Sequence, residues 1–305
     1  MYFIQHIESI THQDSFRKEN LWSNLKPLDS DHALISPDYK SYIPAATLRR
    51  LSTILRMGIT ASKECQEKVF TEFDSISVGT GLGCLTDTEK FLLTINTVSG
   101  DILSPTAFIQ STHNTISGQI SLDLKNHAYN MTHTQNAISF EVALTDAMLC
   151  VYEGKKSVLT GAADEAISFL ERLRGTLIKT THPFTSGVTF AVISPNKNQS
   201  IAHIQACEVL VSDQTENAVP EFLKKHRCEL KDADLILEAG EQFASTGKKH
   251  VNFLTYSGYY QSASAFAFHL AHDWFIENKT AQKALIINNL ESGKLGLTLL
   301  SRNEA

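Results

Sequence analysis

Short apolar runs of strand length recur along this chain between stretches with helical spacing, and the pattern occurs twice. In the first half, residues 1–10 alternate apolar and polar. Residues 75–78 (SISV), 157–160 (SVLT) and 187–193 (GVTFAVI) read as buried strands. Helical spacing covers 45–69, 88–97 and 139–152, the last with Phe140, Val142, Ala143, Ala147, Met148 and Val151 recurring at helical intervals. A turn is expected at Ser104-Pro105. A polar, Pro-containing stretch at 194–200 precedes the second half. Strands follow at 203–211, 235–238, within 248–255, at 283–288 and at 295–300, with an Ala- and Phe-rich helix at 262–276. Apolar strands alternating with helices need cover on both faces, which predicts an α/β fold around a largely buried sheet. The 305 residues suffice for one large domain or two medium ones.

Composition excludes several function classes. The net charge of −6 and pI of about 6.1 give no basic field for nucleic acid or an anionic membrane. An acidic protein partner would need a local basic patch. Cys65, Cys84, Cys150, Cys207 and Cys228 are scattered and never form CxxC. Neither a disulfide framework nor a zinc site is expected, and reduced thiols in a cytoplasm fit best. The start, MYFIQHIESI, shows no basic region ahead of an apolar core, so no leader is expected. No apolar run approaches the roughly 20 residues of a membrane span.

Three motifs invite sharper readings that their surroundings weaken. GTGLG at 79–83 lacks the third glycine of a dinucleotide fingerprint and the Gly-Lys-Ser/Thr of a P-loop, so it predicts a tight turn. His269, His272 and Asp273 share a helical face without an HExxH arrangement, which favours a packing or solvated face over a metal site. Ser111 and His113 have no GxSxG elbow, and no hydrolase triad is expected.

Five segments in order, IPAATLRRLS, VGTGLGCLTDTEKF, SPTAFIQSTHNTISGQISL, HPFTSGVTFAVISP and SGYYQSASAFAF, resemble the β-ketoacyl synthase branch of the thiolase superfamily. The resemblance implies a thiolase-like fold, two similar α/β halves in a layered α-β-α-β-α core. These would span residues 1–195 and a shortened 196–305. It also maps the family's chemistry onto this numbering. The nucleophilic cysteine falls on Ala137, the two catalytic histidines on Gly240 and Tyr259, and the lysine on Leu254. His113, Asn114, His133, Gln135 and Tyr259 are the candidates for lining the remaining pocket. No cofactor and no metal are implied.

Decarboxylative condensation requires a thiolate to hold the acyl chain and histidines to stabilise charge on the thioester oxygen. A methyl group cannot be acylated, and a glycine offers no side-chain hydrogen bond. The pattern resembles chain-length factors, ketosynthase-like subunits without a nucleophile. STHNTISGQI and SFEVALTDAM are most similar to ketosynthase-like proteins of aryl-polyene and flexirubin-type pigment clusters. The implied partner is a cysteine-bearing ketosynthase, with acyl chains supplied on an acyl carrier protein. Two alternatives stay open: an active acyltransferase using Cys150, Cys84 or His113, and a homodimer without acyl cargo.

Overall fold

The computed structural model describes residues 1–29, 32–97, 105–211, 215–240 and 249–303. Its first half contains β1 (Tyr2–Ile10), α1 (Leu21–Asn24), α2 (Ala45–Leu48), α3 (Thr53–Val69), β2 (Ser75–Gly79), α4 (Leu85–Thr97), α5 (Pro105–Gln110), α6 (Thr115–Leu124), β3 (Tyr129–His133), α7 (Ser139–Tyr152), β4 (Val158–Asp164), α8 (Ser168–Leu173) and β5 (Gly187–Ser194). The second half contains β6 (Ala202–Val211), α9 (Thr215–Lys225), β7 (Leu235–Glu238), β8 (Lys249–Asn252), α10 (Leu254–Ser257), α11 (Ser264–Glu277), β9 (Lys283–Asn288) and β10 (Lys294–Arg302).

The strands lie in the order β3-β2-β4-β5-β1-β6-β10-β9-β7-β8. β2 pairs in parallel with β3 and β4, while β4–β5 and β5–β1 are antiparallel. The second half repeats this in mirror order. β7 is parallel to β8 and β9, and β9–β10 and β10–β6 are antiparallel. Only Tyr2–Ile204 and Phe3–His203 join the halves through β1 and β6.

Helices fill three layers around this sheet. α3 and α6 pack on the outer face of the first half, where Ile54, Leu55, Ile116 and Ile120 meet Val188, Phe190 and Val192. α9 covers the second half, with Val219, Phe222 and Leu223 against Leu285, Leu297 and Leu299. α7 and α11 lie between the halves, bringing Phe140, Leu144, Phe266 and Phe268 into one buried cluster with residues of both. The Phe140 and Phe268 rings meet at 5.5 Å. Burial on both faces explains why α11 is apolar nearly all round, whereas α7 keeps an exposed stripe at Thr145, Leu149 and Tyr152. The result is the expected thiolase-like α-β-α-β-α arrangement, here with the two five-stranded halves hydrogen-bonded at their seam.

Several boundaries differ from the sequence expectation. The helix expected over 45–69 breaks after Leu48, because the chain turns Leu51 into the core before Ser52 leads into α3. β4 continues through Gly161 to Asp164, because that glycine lets the Thr189 carbonyl and Phe190 of β5 approach where any Cβ would collide. The stretch 248–255 holds β8 and then the start of α10; Lys248 lies outside the described residues, as does Ser104 of the expected turn. β3 was invisible to periodicity: its sequence YNMTH lacks the apolar run of a buried strand, because it lies at the sheet edge.

Candidate functional site

The mouth of α7 lies where the two halves meet. β2 ends at Gly79, and α7 approaches so closely that a Cβ there would run into the Ser139 carbonyl. The chain enters α7 through a single 3-10 turn, Asn136–Ile138, with Asn136 in the left-handed region at φ 51. Asparagine tolerates this conformation better than most residues. Ser139 braces the turn: its hydroxyl lies 2.7 Å from the Asn136 carbonyl and 3.0 Å from that of Thr80, and it accepts from the Gln135 N–H at 2.8 Å.

This geometry divides the expected nucleophile region in two. Ala137 is 2 % exposed, its methyl turned inward, and its carbonyl accepts from the Asn288 amide at 2.8 Å. Asn136 is exposed and its side-chain amide reaches Glu291 Oε1 at 3.3 Å. The residue that faces the open side of the turn is therefore Asn136. Neither position bears a thiol. All five cysteines are buried, and burial pushes each thiol up, Cys207 to about 12.

Asn288 and Asn289 connect this turn to the second half. The Asn288 amide also meets Glu141 Oε1 at 2.9 Å and Ser264 Oγ at 3.1 Å, joining α7, α11 and β9 at one point. Asn289 donates to Glu238 Oε1 at 3.2 Å and packs beside Gly240. Glu238 in turn meets His250 Nε2 at 2.8 Å. Tyr259 lies half-buried against the segment 183–185. Its backbone bonds Pro183 and Thr185, and its ring contacts Phe184 edge-on at 5.6 Å. Burial and the Glu291 carboxylate raise its pKa. Leu254, by contrast, is 3 % exposed inside the central core and reaches no open surface.

The remaining candidates do not converge on this mouth. His133 is held by Asp146, Nε2 to Oδ2 at 3.1 Å. Ser77 and Tyr129 donate to the same carboxylate at 2.7 and 3.0 Å. Burial works to raise Asp146, but the bonds from His133, Ser77 and Tyr129 outweigh it and its pKa is lowered. His133 thus faces α7 rather than an acyl pocket. His113 is exposed against the turn at Gly83, and Asn114 precedes α6 with its Oδ1 accepting from Thr112 at 2.8 Å. Asn114 lines a separate groove of about 680 Å³ between α6 and β3, with Ser117, Ser121, Lys125 and Met131. Gln135 is exposed beside the turn.

Sequence reasoning missed the residue that holds the mouth together. Asp164, at the end of β4 and 1 % exposed, accepts from the N–H groups of Gly81, Leu82 and Ser262 and from the hydroxyls of Thr80 and Ser262, all within 3.1 Å. The donors of the GTGLG turn are thus aimed at an internal carboxylate, which leaves the turn no capacity to cradle phosphate. An acidic residue closing an apolar strand was the available signal. Glu141 was also missed. It is 1 % exposed in the first turn of α7, where burial pushes its carboxyl up to about 7 against weaker opposition from Asn288 and Ser264.

Residues 22–170 match the model of a family described as beta-ketoacyl synthase, N-terminal domain. The chain has a thiolase-type fold and is similar to β-ketoacyl synthases over this stretch. Solved structures share the fold of this ketosynthase-like chain along 99 % of both partners in each comparison. They include a chain of the type II polyketide synthase assembly AntDE:AntF, an acyl-carrier protein in complex with its ketosynthase bound to the hexaketide (15 % identity, TM-score 0.80). Another is the ishigamide ketosynthase/chain length factor (12 %, 0.79). A third is the ketosynthase ApeO in complex with its chain length factor ApeC from Xenorhabdus doucetiae (16 %, 0.63). Among curated proteins, none matches the sequence. No described helix of the ketosynthase-like chain is long and apolar enough to cross a membrane.

Proposed function

We propose that this chain is a non-catalytic, chain-length-factor-type subunit that pairs with a cysteine-bearing β-ketoacyl synthase. The pair would extend acyl chains on an acyl carrier protein in fatty-acid- or polyketide-like biosynthesis of the aryl-polyene or flexirubin kind, in the cytoplasm. One observation supports this above the rest: the braced turn ahead of α7, onto which the family resemblance maps the nucleophile, carries Asn136 and Ala137 and no thiol. Gly240, Tyr259 and Leu254 supply neither the imidazoles nor the ammonium that the chemistry uses. An acyltransferase working through Cys150 or Cys84 is disfavoured by their burial. We read residues 1–195 and 196–305 as the two thiolase-like halves.

The partner surface in this reading is the free edge of β3. Tyr129 and Met131 on the strand are 40 and 41 % exposed, and the nearby Leu122, Leu149 and Tyr152 are 72, 51 and 80 % exposed. An unpaired strand flanked by apolar side chains is a template for another sheet edge. A second copy of the chain could use the same edge, so the test must separate the two. Co-expression with a cysteine-bearing ketosynthase should give a mixed dimer on native mass spectrometry. Intact-mass measurement of the isolated chain, after incubation with acyl- and malonyl-carrier protein, should show no adduct. A covalent acyl adduct on any residue, or a stable homodimer that excludes the ketosynthase, would overturn the proposal.

A further inference from the structure

The exit of α9 gathers a thiol, an amine and a carboxylate away from the turn ahead of α7. The chain leaves α9 through Arg227 in the left-handed region, and the Cys228 N–H bonds back to the Leu223 carbonyl at 2.9 Å. A 3-10 turn, Leu230–Asp232, follows, with Asp232 Oδ2 accepting from the Glu229 N–H at 2.8 Å. Asp234 then ties the entry of β7 to the start of β9 by accepting from the Lys283 N–H at 3.2 Å. These bonds set Lys283 Nζ 3.4 Å from Cys228 Sγ, across 55 residues of sequence. The Asp232 carboxylate faces both groups: its pKa is lowered first by the Glu229 N–H, then by the Lys283 charge and the Cys228 thiol. Burial raises the Cys228 thiol, and Lys283 works against that rise. Cys228 is 4 % exposed, but the side chains of Glu229 and Lys231 beside it are 68 and 74 % exposed, so the pair lies just under the surface.

The other cysteines have different surroundings. Cys65 and Cys84 lie in the cluster under α3, and Cys150 and Cys207 in the central one, whereas Cys228 lies in the cluster under α9. Among the described residues no second thiol is packed with Cys228 to resolve an oxidised sulfur, and the nucleophile in contact with it is Lys283. We propose that Cys228 and Lys283 are a modification site, where peroxide joins Sγ to Nζ in a reversible sulfenamide cross-link. In the first step an S–O bond forms, the O–O bond of hydrogen peroxide breaks and water leaves; sulfur loses two electrons and peroxide gains them. Nζ then attacks the sulfenic sulfur, forming S–N and breaking S–O. Two of the three ammonium protons depart, one with the leaving hydroxide as water and one to solvent through Asp232. Separations of about 3–3.5 Å between reacting atoms are those from which such a bond forms with little rearrangement. A thiol reductant reverses the link by attacking Sγ and expelling the amine. The bridge would join the exit of α9 to β9, and it does not depend on how the turn ahead of α7 functions.

The full chain, treated with hydrogen peroxide, alkylated and digested, tests this by mass spectrometry. The peptides carrying Cys228 and Lys283 should appear linked, two hydrogens lighter than their sum, and dithiothreitol should release them. Cys228→Ser should abolish the linked species. Lys283→Arg keeps the positive charge, but its guanidinium stays protonated and cannot attack sulfur. In that variant, with folding confirmed by thermal melts, the same peroxide dose should carry Cys228 on to sulfinic acid. Finding Cys228 of the unsubstituted folded chain only as free thiol or sulfinic acid would overturn the proposal. So would an equal yield of links to Lys225 or Lys231, or the same protection from over-oxidation in Lys283→Arg.

Discussion

Glu141→Gln should stabilise this protein at alkaline pH and do progressively less as the pH falls. Glu141 lies 1 % exposed beneath the turn ahead of α7, with its carboxyl against Gly296 of β10 and Oε2 without a hydrogen-bond partner among the described residues. Burial raises its pKa from 4.5 to about 7. Below pH 4.5 the folded and unfolded chains both hold the proton and the group is neutral in the balance. Between 4.5 and 7 the unfolded chain releases it while the folded chain retains it, so stability falls as pH rises. Above 7 the full cost applies, about 3 kcal/mol at ~1.4 kcal/mol per pH unit. Glutamine keeps an oxygen for the Asn288 amide and cannot ionise. Urea denaturation of parent and variant from pH 4.5 to 8.5 measures the difference. The stability gap should shift in the variant's favour by about 3 kcal/mol across that range. A fixed offset, from imperfect accommodation of the new amide, leaves this pH dependence intact. Parallel curves at every pH would refute the claim that a proton sits on Glu141 in the folded protein.

The buried imidazole of His269 gives the opposite slope. It meets Ser9 Oγ at 2.7 Å, and burial, reinforced by His272 and His6, lowers its pKa from 6.5 to about 3. The unfolded chain takes up the proton first, so stability should fall by about 2 kcal/mol between pH 6.5 and 5, and His269→Asn should flatten that limb of a denaturation series. His272, which keeps some contact with solvent, should contribute less. Asp164→Asn replaces an acceptor-only group facing five donors with one that bears an NH₂, and should cost at least about 3 kcal/mol in urea unfolding. Gly79→Ala should lower the melting temperature by several degrees or prevent folding, because its Cβ would be forced into the Ser139 carbonyl.

How much was legible follows from where the information lies. α7 and β9 have the bounds that the sequence pattern predicts, and the strand 235–238 likewise. Each is built from consecutive residues whose apolar spacing matches its own period. The absence of a thiol at the mouth of α7 was legible too, since neither Asn136, Ala137 nor Ile138 can be read as anything else. β3 was not legible, because an edge strand escapes the apolar demand that makes buried strands visible. Nor was the choice between residues 136 and 137. That depends on a left-handed turn imposed by Ser139, Thr80 and Asn288, which only the assembled halves bring together.

Composition and periodicity alone therefore determined the α/β class and the doubled strand–helix pattern, because these are properties of neighbouring residues. Tertiary structure decided which side chain faces the open side of the turn and what holds the turn in place. Those depend on bonds such as Asp164 to Ser262, 98 residues apart, and Asn136 to Glu291, 155 apart, whose partners no local pattern can pair.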